Sequence, residues 1–361
     1  MKKIFALISI ILLSANYLFA QDKPLRLAIA GVTHGHIAEV ARRIAGEDFI
    51  IVGIMEADDR YRSSNALTGQ VDEDLFYADL NKMLDETKPE AVAAYGSIYD
   101  HMAIVEACAP RGIHVMVEKP LATTYKDARR IQRLAQKYGI NVITNYETTW
   151  YRTNWHAHKL INEGQIGDIF RMNIYDGHQG PREIRCGEEF LEWLTDPVLN
   201  GGGAVTDFGC YGANIATWFL KGTEPLSVYA VLKQHKPDVY PKVDDDATII
   251  IEYPNTTVQI MASWCWPMGR KDMYVYGHDG YIYQKTNKDM ETLIKGKHNS
   301  EFEAPELNSP YDDTFKMLKS IVRGEVKLDE YDPNSLENNI MVVRILEAAK
   351  KSAARGKAIK F

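Results

Sequence analysis

The stretch Gly112-Ile113-His114-Val115-Met116-Val117-Glu118-Lys119-Pro120-Leu121 decides the fold. Val115 to Val117 is a short apolar run of the kind that a buried parallel strand uses. Lys119 follows where such a strand ends, and Pro120 disfavours the helical conformation for it. Open α/β sheets bind ligands at the carboxyl ends of their strands, so Lys119 is predicted to face a ligand. Taken alone, the tripeptide also fits a solvated loop lysine beside a glutamate.

On both sides of this strand, apolar runs alternate with helical patterns. The other predicted strands of the first part are residues 25–30, 49–55, 91–95 and 140–144. The predicted helices between them are residues 37–44, 75–86, 101–109 and 125–138. This alternation predicts βαβ units and a doubly wound parallel sheet over residues 22–145.

The pattern changes near residue 146. A helix is predicted at 155–163, an alternating strand at 169–176 and a second helix at 206–220. Further strands are predicted at 226–233, 247–253, 257–264, 273–276 and 281–285, and closing helices at 310–323 and 334–355. Residues 146–361 are therefore predicted to form an α/β domain with a large, mostly antiparallel open sheet, wet on one face.

The amino terminus is predicted to be a Sec-type signal peptide, residues 1–21, which makes the protein periplasmic or secreted. Met1-Lys2-Lys3 is basic, Ile4 to Leu13 is apolar, and Ala20 is a small residue near the cleavage point. A membrane anchor is the alternative, and no later stretch is apolar enough to span a bilayer. Cleavage lowers the net charge from −7 to −9, which excludes nucleic acid as a partner.

A phosphate-binding turn is predicted at Gly31-Val32-Thr33-His34-Gly35-His36, between the first strand and helix. Backbone N–H groups at this point of a dinucleotide-binding fold hold phosphate, so Gly31, Thr33, His34, Gly35 and His36 are predicted to bind the cofactor. Thr33 and His36 replace the second and third glycines of the usual pattern. A structural role for the two histidines is equally open. No third ligand for a metal is visible, and the four cysteines show no metal-ligand spacing.

Glu56 stands 25 residues after Gly31, at the end of the second strand. An acid there accepts hydrogen bonds from the ribose 2′-OH and repels a 2′-phosphate, which predicts NAD rather than NADP. Arg60 keeps NADP open, and a solvated strand-end acid is the alternative for Glu56.

Together these residues resemble the glucose–fructose oxidoreductase, inositol dehydrogenase and MocA family (Gfo/Idh/MocA). The similarity covers nearly all of residues 24–355. Its motifs are the turn at Gly31, Glu56, Asp100-His101, Glu118-Lys119-Pro120, Gly201-Gly202-Gly203 and Asp207-x-Gly209.

The resemblance implies an amino-terminal Rossmann domain and a carboxy-terminal domain whose open sheet often forms homo-dimers or homo-tetramers. It implies hydride transfer between nicotinamide and a sugar or polyol carbon. We expect Glu118, Lys119 and Pro120 to lie at the cofactor.

The family's catalytic lysine corresponds to Lys119, and its Asp-x-Gly-x-His segment to residues 207–211. Tyr211 replaces the common histidine, as in branches similar to glucose–fructose oxidoreductase and dihydrodiol dehydrogenase, and Asn214 stands where many members have aspartate. A spacing of four puts Asp207 and Tyr211 on one helix face, and the glycines nearby permit close approach to a ligand. We assign Tyr211 as acid/base, Lys119 as its electrostatic partner and hydroxyl ligand, and Asp207 as the orienting group. A structural Asp–Tyr pair is the alternative.

Several aromatic and basic side chains are candidates for the substrate pocket, since aromatic faces stack on sugar rings and Arg or His donates to hydroxyls. They are Trp150, Tyr151, Arg152, His178, Arg182 and Trp264, with core packing as the default for Trp264.

The leading prediction is an exported NAD-dependent sugar, glycoside or polyol oxidoreductase. One alternative is a glycosidase that uses NAD transiently, by oxidation, elimination and reduction. Another is a non-catalytic nucleotide- or sugar-binding protein.

Overall fold

The computed structural model describes residues 23–361, so the predicted signal peptide lies outside the described residues. Two sheets organise this part of the chain, one of six strands and one of nine. Within it, no helix combines the length and the apolar character that crossing a bilayer requires.

The first sheet is entirely parallel, in the order β3-β2-β1-β4-β5-β6. Its strands are β1 Leu25–Ala30, β2 Phe49–Met55, β3 Phe76–Tyr77, β4 Ala91–Ala94, β5 His114–Glu118 and β6 Val142–Asn145. Its helices are α1 Ile37–Ala41, α2 Asp59–Ser63, α3 Leu80–Thr87, α4 His101–Cys108 and α5 Tyr125–Tyr138. The doubly wound parallel sheet is confirmed.

The helix predicted at 75–86 is wrong in its first turn. Phe76 and Tyr77 pair with β2 as a short edge strand. The helix begins only after Asp79, whose carboxylate accepts the Lys82 amide at 2.7 Å and caps it.

The second sheet is mostly antiparallel, in the order β14-β13-β12-β11-β7-β10-β9-β8-β15, and only the β7–β10 pair is parallel within the described residues. Its strands are β7 Ile169–Gly177, β8 Ser227–Lys233, β9 Asp246–Glu252, β10 Thr257–Ser263, β11 Arg270–Gly277, β12 Gly280–Gln284, β13 Asp289–Ile294, β14 Lys297–Glu303 and β15 Ile359–Lys360. The helices after residue 146 are α6 Arg152–Asn162, α7 Glu188–Leu194, α8 Ala204–Asp207, α9 Gly209–Phe219, α10 Thr314–Val322 and α11 Leu336–Arg355. The predicted fold class is confirmed here too, although β13, β14, β15 and α7 were not predicted.

The carboxy-terminal segment returns to the first sheet. Phe315 is 1% exposed, lies 4.7 Å from Phe49 between ring centroids, and belongs with Leu318 and Ile321 to the core beneath β1 and β2. Helix α10 therefore follows the second sheet along the chain but packs against the first one.

The two sheets meet at the carboxyl edge of the first one. Lys119 leaves β5 at this edge, and the buried helix α9 of the second body faces it with Tyr211. Side chains from distant parts of the chain thus share one cavity.

Candidate active site

Lys119 and Asp207 form a buried ion pair. The ammonium group donates to Asp207 Oδ1 at 2.5 Å and to the Asp207 carbonyl at 3.1 Å, and each side chain is 7% exposed. Trp264 Nε1 donates to the other carboxylate oxygen at 2.9 Å. Trp264 is fully buried, in agreement with the core-packing role expected for it. It also fixes the carboxylate that holds Lys119.

Each member of this pair keeps the other charged. Burial opposes charge on Lys119, but Asp207 raises the pKa of the ammonium above its ordinary value. Burial likewise opposes charge on Asp207, yet Lys119 lowers the pKa of the carboxyl. A buried charge without its partner is costly, so replacing either residue alone should lower the free energy of unfolding.

Tyr211 lies beside this pair. Lys119 Nζ is 5.1 Å from the centroid of its ring, and both residues line a cavity of about 300 Å³, here named the Lys119 cavity. Burial raises the pKa of Tyr211 well above its ordinary value. The group is therefore a neutral phenol at pH 7, the form that donates a proton.

Local structure brings these groups to the edge. His101, at the start of α4, donates Nδ1–H to the Leu121 carbonyl at 3.2 Å, which fixes the loop after β5. Residues 206–220 were predicted as one helix, but the helix is interrupted at Phe208, between α8 and α9. Asp207 and Tyr211 still line the same cavity across that break.

The glycines near Asp207 approach protein rather than ligand, which corrects the prediction. A Cβ on Gly203 would meet the Asp244 carbonyl oxygen at 1.8 Å. One on Gly209 would meet the side chain of Ile249 at 3.1 Å. These glycines permit helix and sheet packing and do not line the Lys119 cavity.

The turn after β1 faces two cavities. Gly31 and Thr33 line one of about 380 Å³, named here the Glu56 cavity, whereas His34, Gly35 and His36 line the Lys119 cavity. Gly31 has φ +80°, and a Cβ there would meet the Gly96 backbone at 2.7 Å. The loops that follow β1 and β4 thus approach each other closely at Gly31 and Gly96. Because these two residues have no side chains, an open cradle remains there.

Glu56 is buried in that cradle. Its carboxylate accepts the Val32 amide at 3.2 Å and the Asp58 amide at 3.0 Å. Arg60 also lines this cavity, and its guanidinium pairs with the carboxylates of Asp58 and Glu192, at 2.7 and 3.2 Å. Carboxylate acceptors at one end and bare backbone at the other fit a dinucleotide, with Glu56 and Asp58 placed to accept ribose hydroxyls.

Glu118 supplies a third group beside the two histidines, which the sequence did not reveal. The ligand atoms of His34, His36 and Glu118 lie within 4.8 Å of one another. Burial lowers the pKa of His34 to about 3, whereas for His36 burial is overcome by Glu118, which raises its pKa. His36 Nδ1 lies 3.0 Å from Glu118, whose other oxygen accepts Asn145 at 2.8 Å. The arrangement is a hydrogen-bonded ion pair that fixes the turn against β5. Pro120, also predicted at the cofactor, is buried after a cis peptide bond and lines neither of the two cavities.

Helix α7 covers the same turn. Phe190 and Trp193 pack on the His34 ring, with centroids 5.0 and 5.6 Å away, and Glu189 lines both cavities. The helix therefore stands over the boundary between the Glu56 and Lys119 cavities.

Of the predicted substrate residues, His178 lines the Lys119 cavity. Its Nδ1 accepts the Gly180 amide at 2.9 Å, which leaves Nε2–H to donate, and burial lowers its pKa so that it is neutral.

Trp150, Arg152 and Arg182 do not line this cavity, which corrects their prediction. Trp150 donates to Asn145 at 3.2 Å, Arg152 pairs with Glu303 and Glu306, and Arg182 pairs with Glu188. These side chains are thus satisfied outside the cavity, Trp150 and Arg182 by residues close in sequence and Arg152 by two distant carboxylates. Tyr151 is one residue removed, because its hydroxyl donates to the cavity residue Glu147 at 2.6 Å.

Several residues that line the cavity were missed, and two of them form an ion pair. Glu147 and Lys271 line the cavity as an ion pair, and Lys271 Nζ is 4.5 Å from the Tyr211 ring centroid. Asp176 pairs in register with Lys271, and burial raises its pKa to about 8. The sequence offers one weak clue: each of these charged residues lies at, or just beyond, one end of an apolar strand.

Two family models match the chain and together cover more than half of it. Residues 25–146 match the oxidoreductase family with an NAD-binding Rossmann fold, and residues 155–283 match the GFO/IDH/MocA C-terminal domain.

Relatives of known name are distant. Trans-1,2-dihydrobenzene-1,2-diol dehydrogenase of Xenopus laevis is 25% identical over 58% of this chain and 60% of its own length. Myo-inositol 2-dehydrogenase of Thermotoga maritima is 22% identical over 87% of this chain and 92% of its own. D-glucoside 3-dehydrogenase of Escherichia coli is 25% identical over 55% of each. The match to the Xenopus protein thus spans about three fifths of that relative.

Solved structures share the fold. An inositol dehydrogenase homologue of Azotobacter vinelandii in complex with NAD+ has a TM-score of 0.79 at 19% identity, covering 94% of this chain and 98% of its own. Aldose–aldose oxidoreductase of Caulobacter crescentus, in complex with glycerol, has a TM-score of 0.78 at 21% identity, covering 94% and 100%.

Proposed function

The chain belongs to the GFO/IDH/MocA family of oxidoreductases, and from that premise we propose that it interconverts a hydroxyl carbon and a carbonyl carbon of a sugar, glycoside or polyol, with NAD as coenzyme. The observation that carries the proposal is the meeting of the Lys119–Asp207 pair with the Tyr211 phenol in one cavity, beside the Glu56 cavity. NAD, when bound, supplies or removes the hydride.

Each residue then has a separate task. Tyr211 exchanges a proton with the substrate oxygen, and Lys119 donates a hydrogen bond to that oxygen and stabilises negative charge on it. Asp207 and Trp264 hold the ammonium in place. His178 Nε2–H donates to a further hydroxyl.

The Glu56 cavity favours NAD over NADP. Glu56 repels a 2′-phosphate, and the Arg60 guanidinium that would bind one is engaged by Asp58 and Glu192. We expect NADP to be used at least tenfold less efficiently than NAD, as kcat/KM at saturating substrate.

The names of the relatives support a polyol substrate. They include a 1,2-diol dehydrogenase, a myo-inositol dehydrogenase and a D-glucoside dehydrogenase. Groups that carry several hydroxyls on neighbouring carbons are therefore the class to test first.

The test is NADH absorbance with the mature chain, NAD and a panel of D-glucose, D-xylose, methyl β-D-glucoside and myo-inositol. We expect turnover of at least one, and its loss by about a thousandfold or more in Lys119→Met and in Tyr211→Phe, with NADH binding nearly unchanged. Full activity in either variant contradicts the assignment. Release of aglycone from a nitrophenyl glucoside without net NADH would instead indicate the NAD-dependent glycosidase.

Export and assembly remain part of the proposal. Fractionation of cells should place the protein outside the cytoplasm, with residues 1–21 removed. Light scattering should give a homo-dimer or homo-tetramer. A full-length cytoplasmic protein, or a monomer, contradicts the respective expectation.

A further inference from the structure

A second lysine–carboxylate pair lies in the Lys119 cavity. Lys271, in β11, forms an ion pair with Glu147, which follows β6. Both side chains line the cavity and are 20% and 42% exposed. Neither side chain takes part in the proposed proton exchange at Tyr211.

The fold directs Lys271 inward. Lys271, Met273 and Val275 lie on the same face of β11. Met273 and Val275 are buried in the hydrophobic core of the second sheet. Lys271 continues that apolar row toward the cavity, so its stem packs on the core and its ammonium emerges at the end. Its Nζ lies 4.5 Å from the Tyr211 ring centroid, compared with 5.1 Å for Lys119.

This ammonium has donors to spare. Glu147 is the hydrogen-bond acceptor found for it among residues 23–361, so two of its three N–H groups are available to an occupant of the cavity. Glu147 accepts Lys271 with one oxygen and the Tyr151 hydroxyl with the other, and each carboxylate oxygen can accept a further bond. A salt bridge that only joins two elements would not need both of its groups to line an open cavity, as these two do.

The paired charges select for a neutral ligand. Lys119 is compensated by Asp207, and Lys271 by Glu147. A phosphate or carboxylate would have to displace Asp207 or Glu147 from its lysine, whereas a hydroxyl can accept from the lysine and donate to the carboxylate without breaking either pair.

We propose that Lys271 and Glu147 form a second substrate subsite, which binds the hydroxyl on the carbon next to the one that reacts. The inference rests on the proposed function. Lys119 and Lys271 lie 5.1 and 4.5 Å from the centroid of the same Tyr211 ring and line the same cavity, so one substrate molecule bound there can reach both ammonium groups. The ligand class is a neutral vicinal diol.

The test compares a substrate with its deoxy analogues. Methyl β-D-glucoside and its 2-, 3-, 4- and 6-deoxy derivatives are assayed with wild type, Lys271→Met and Glu147→Gln. In wild type, we expect loss of the neighbouring hydroxyl to lower kcat/KM by about 10- to 100-fold, the effect of one charged hydrogen bond. In either variant the same deletion should cost clearly less than in wild type, because one of the two partners of that hydroxyl has been removed or weakened. Lys271→Arg should retain the dependence.

Lys285→Met is the matched control. Lys285 directly follows β12 of the same sheet, is 25% exposed and pairs with Glu291 at 3.3 Å, and it does not line the cavity. It should leave the deoxy pattern unchanged. A full deoxy penalty in Lys271→Met and Glu147→Gln overturns the subsite alone. No turnover of the glucoside or of the rest of the panel by wild type overturns the proposed function and the subsite together.

Discussion

At the residue scale, one buried phenol lies beside two ammonium groups. Lys119 is neutralised by Asp207 and Lys271 by Glu147, so little net positive charge remains to ionise Tyr211. Burial accordingly dominates, and the pKa of Tyr211 is raised. This modifies the sequence-based assignment, in which the Lys119 cation is the electrostatic partner that stabilises the Tyr211 phenolate.

The direction of this shift predicts opposite pH profiles for the two reactions. Oxidation needs the phenolate, whose fraction grows tenfold per pH unit below the pKa, whereas reduction uses the phenol. Between about pH 6 and 9, kcat/KM for polyol oxidation should rise about tenfold per unit, and that for ketone reduction should not. An oxidation profile that is already flat at pH 7 contradicts this assignment.

Asp176 predicts a pH dependence of stability. Burial raises its pKa to about 8 from an ordinary 3.8, so between these values the folded chain holds a proton that the unfolded chain releases. This group therefore makes the free energy of unfolding fall as pH rises from about 4 to 8, by at most about 1.4 kcal/mol per unit.

The variant Asp176→Asn should remove that slope and be more stable than wild type near pH 8. Urea unfolding at several pH values measures both quantities. Equal slopes in the two proteins would show that Asp176 is ionised in the folded state.

At the element scale, the turn from β1 to α1 offers a matched pair of glycines. Gly31→Ala places a Cβ 2.7 Å from the Gly96 backbone at φ +80°, whereas the same change at Gly35 meets nothing within 4 Å. We expect the first to cost about 2 kcal/mol or more and to abolish NADH binding, and the second to cost under about 0.5 kcal/mol. Thermal unfolding and NADH fluorescence check this, and equal effects of the two changes contradict it.

Elements with a clear period were predictable. Strand β5 and helix α5 carry apolar residues at strand and helix spacing, and Tyr125–Tyr138 matches the predicted bounds. Strand β14 was missed because six of its seven side chains are exposed, so no alternation marks it. Helix α7 was missed because its length of seven residues is too short for a clear helical period.

The site was predictable only where a motif marks it. Lys119, Asp207 and Tyr211 lie in recognisable segments. Lys271 and Glu147 are 124 residues apart, and only the packing of two sheets joins them. Trp150 and Arg152 have suitable chemistry, but partners elsewhere in the fold hold them away from the cavity.

At the scale of the whole molecule, the carboxy-terminal segment completes the amino-terminal sheet. Phe315→Ala should lower the free energy of unfolding by about 3–5 kcal/mol, because it opens a cavity beneath Phe49. Exposed Tyr138→Ala, on α5, is the control and should cost under about 1 kcal/mol. Denaturant unfolding with NADH binding as a second probe should show both signals weakening together. If Phe315→Ala unfolds at lower denaturant concentration but still binds NADH there, α10 is not part of the NADH-binding body.

The central claim is that hydride leaves a substrate carbon held at Lys119 and Tyr211. The most direct measurement is mass spectrometry of the coenzyme after incubation of wild-type protein with NAD and a polyol deuterated at every carbon. The account predicts that each NADH molecule formed carries one deuterium. It also predicts that Tyr211→Phe forms no deuterated NADH. Oxidised polyol without deuterium in the coenzyme, or equal transfer in the variant, would contradict it.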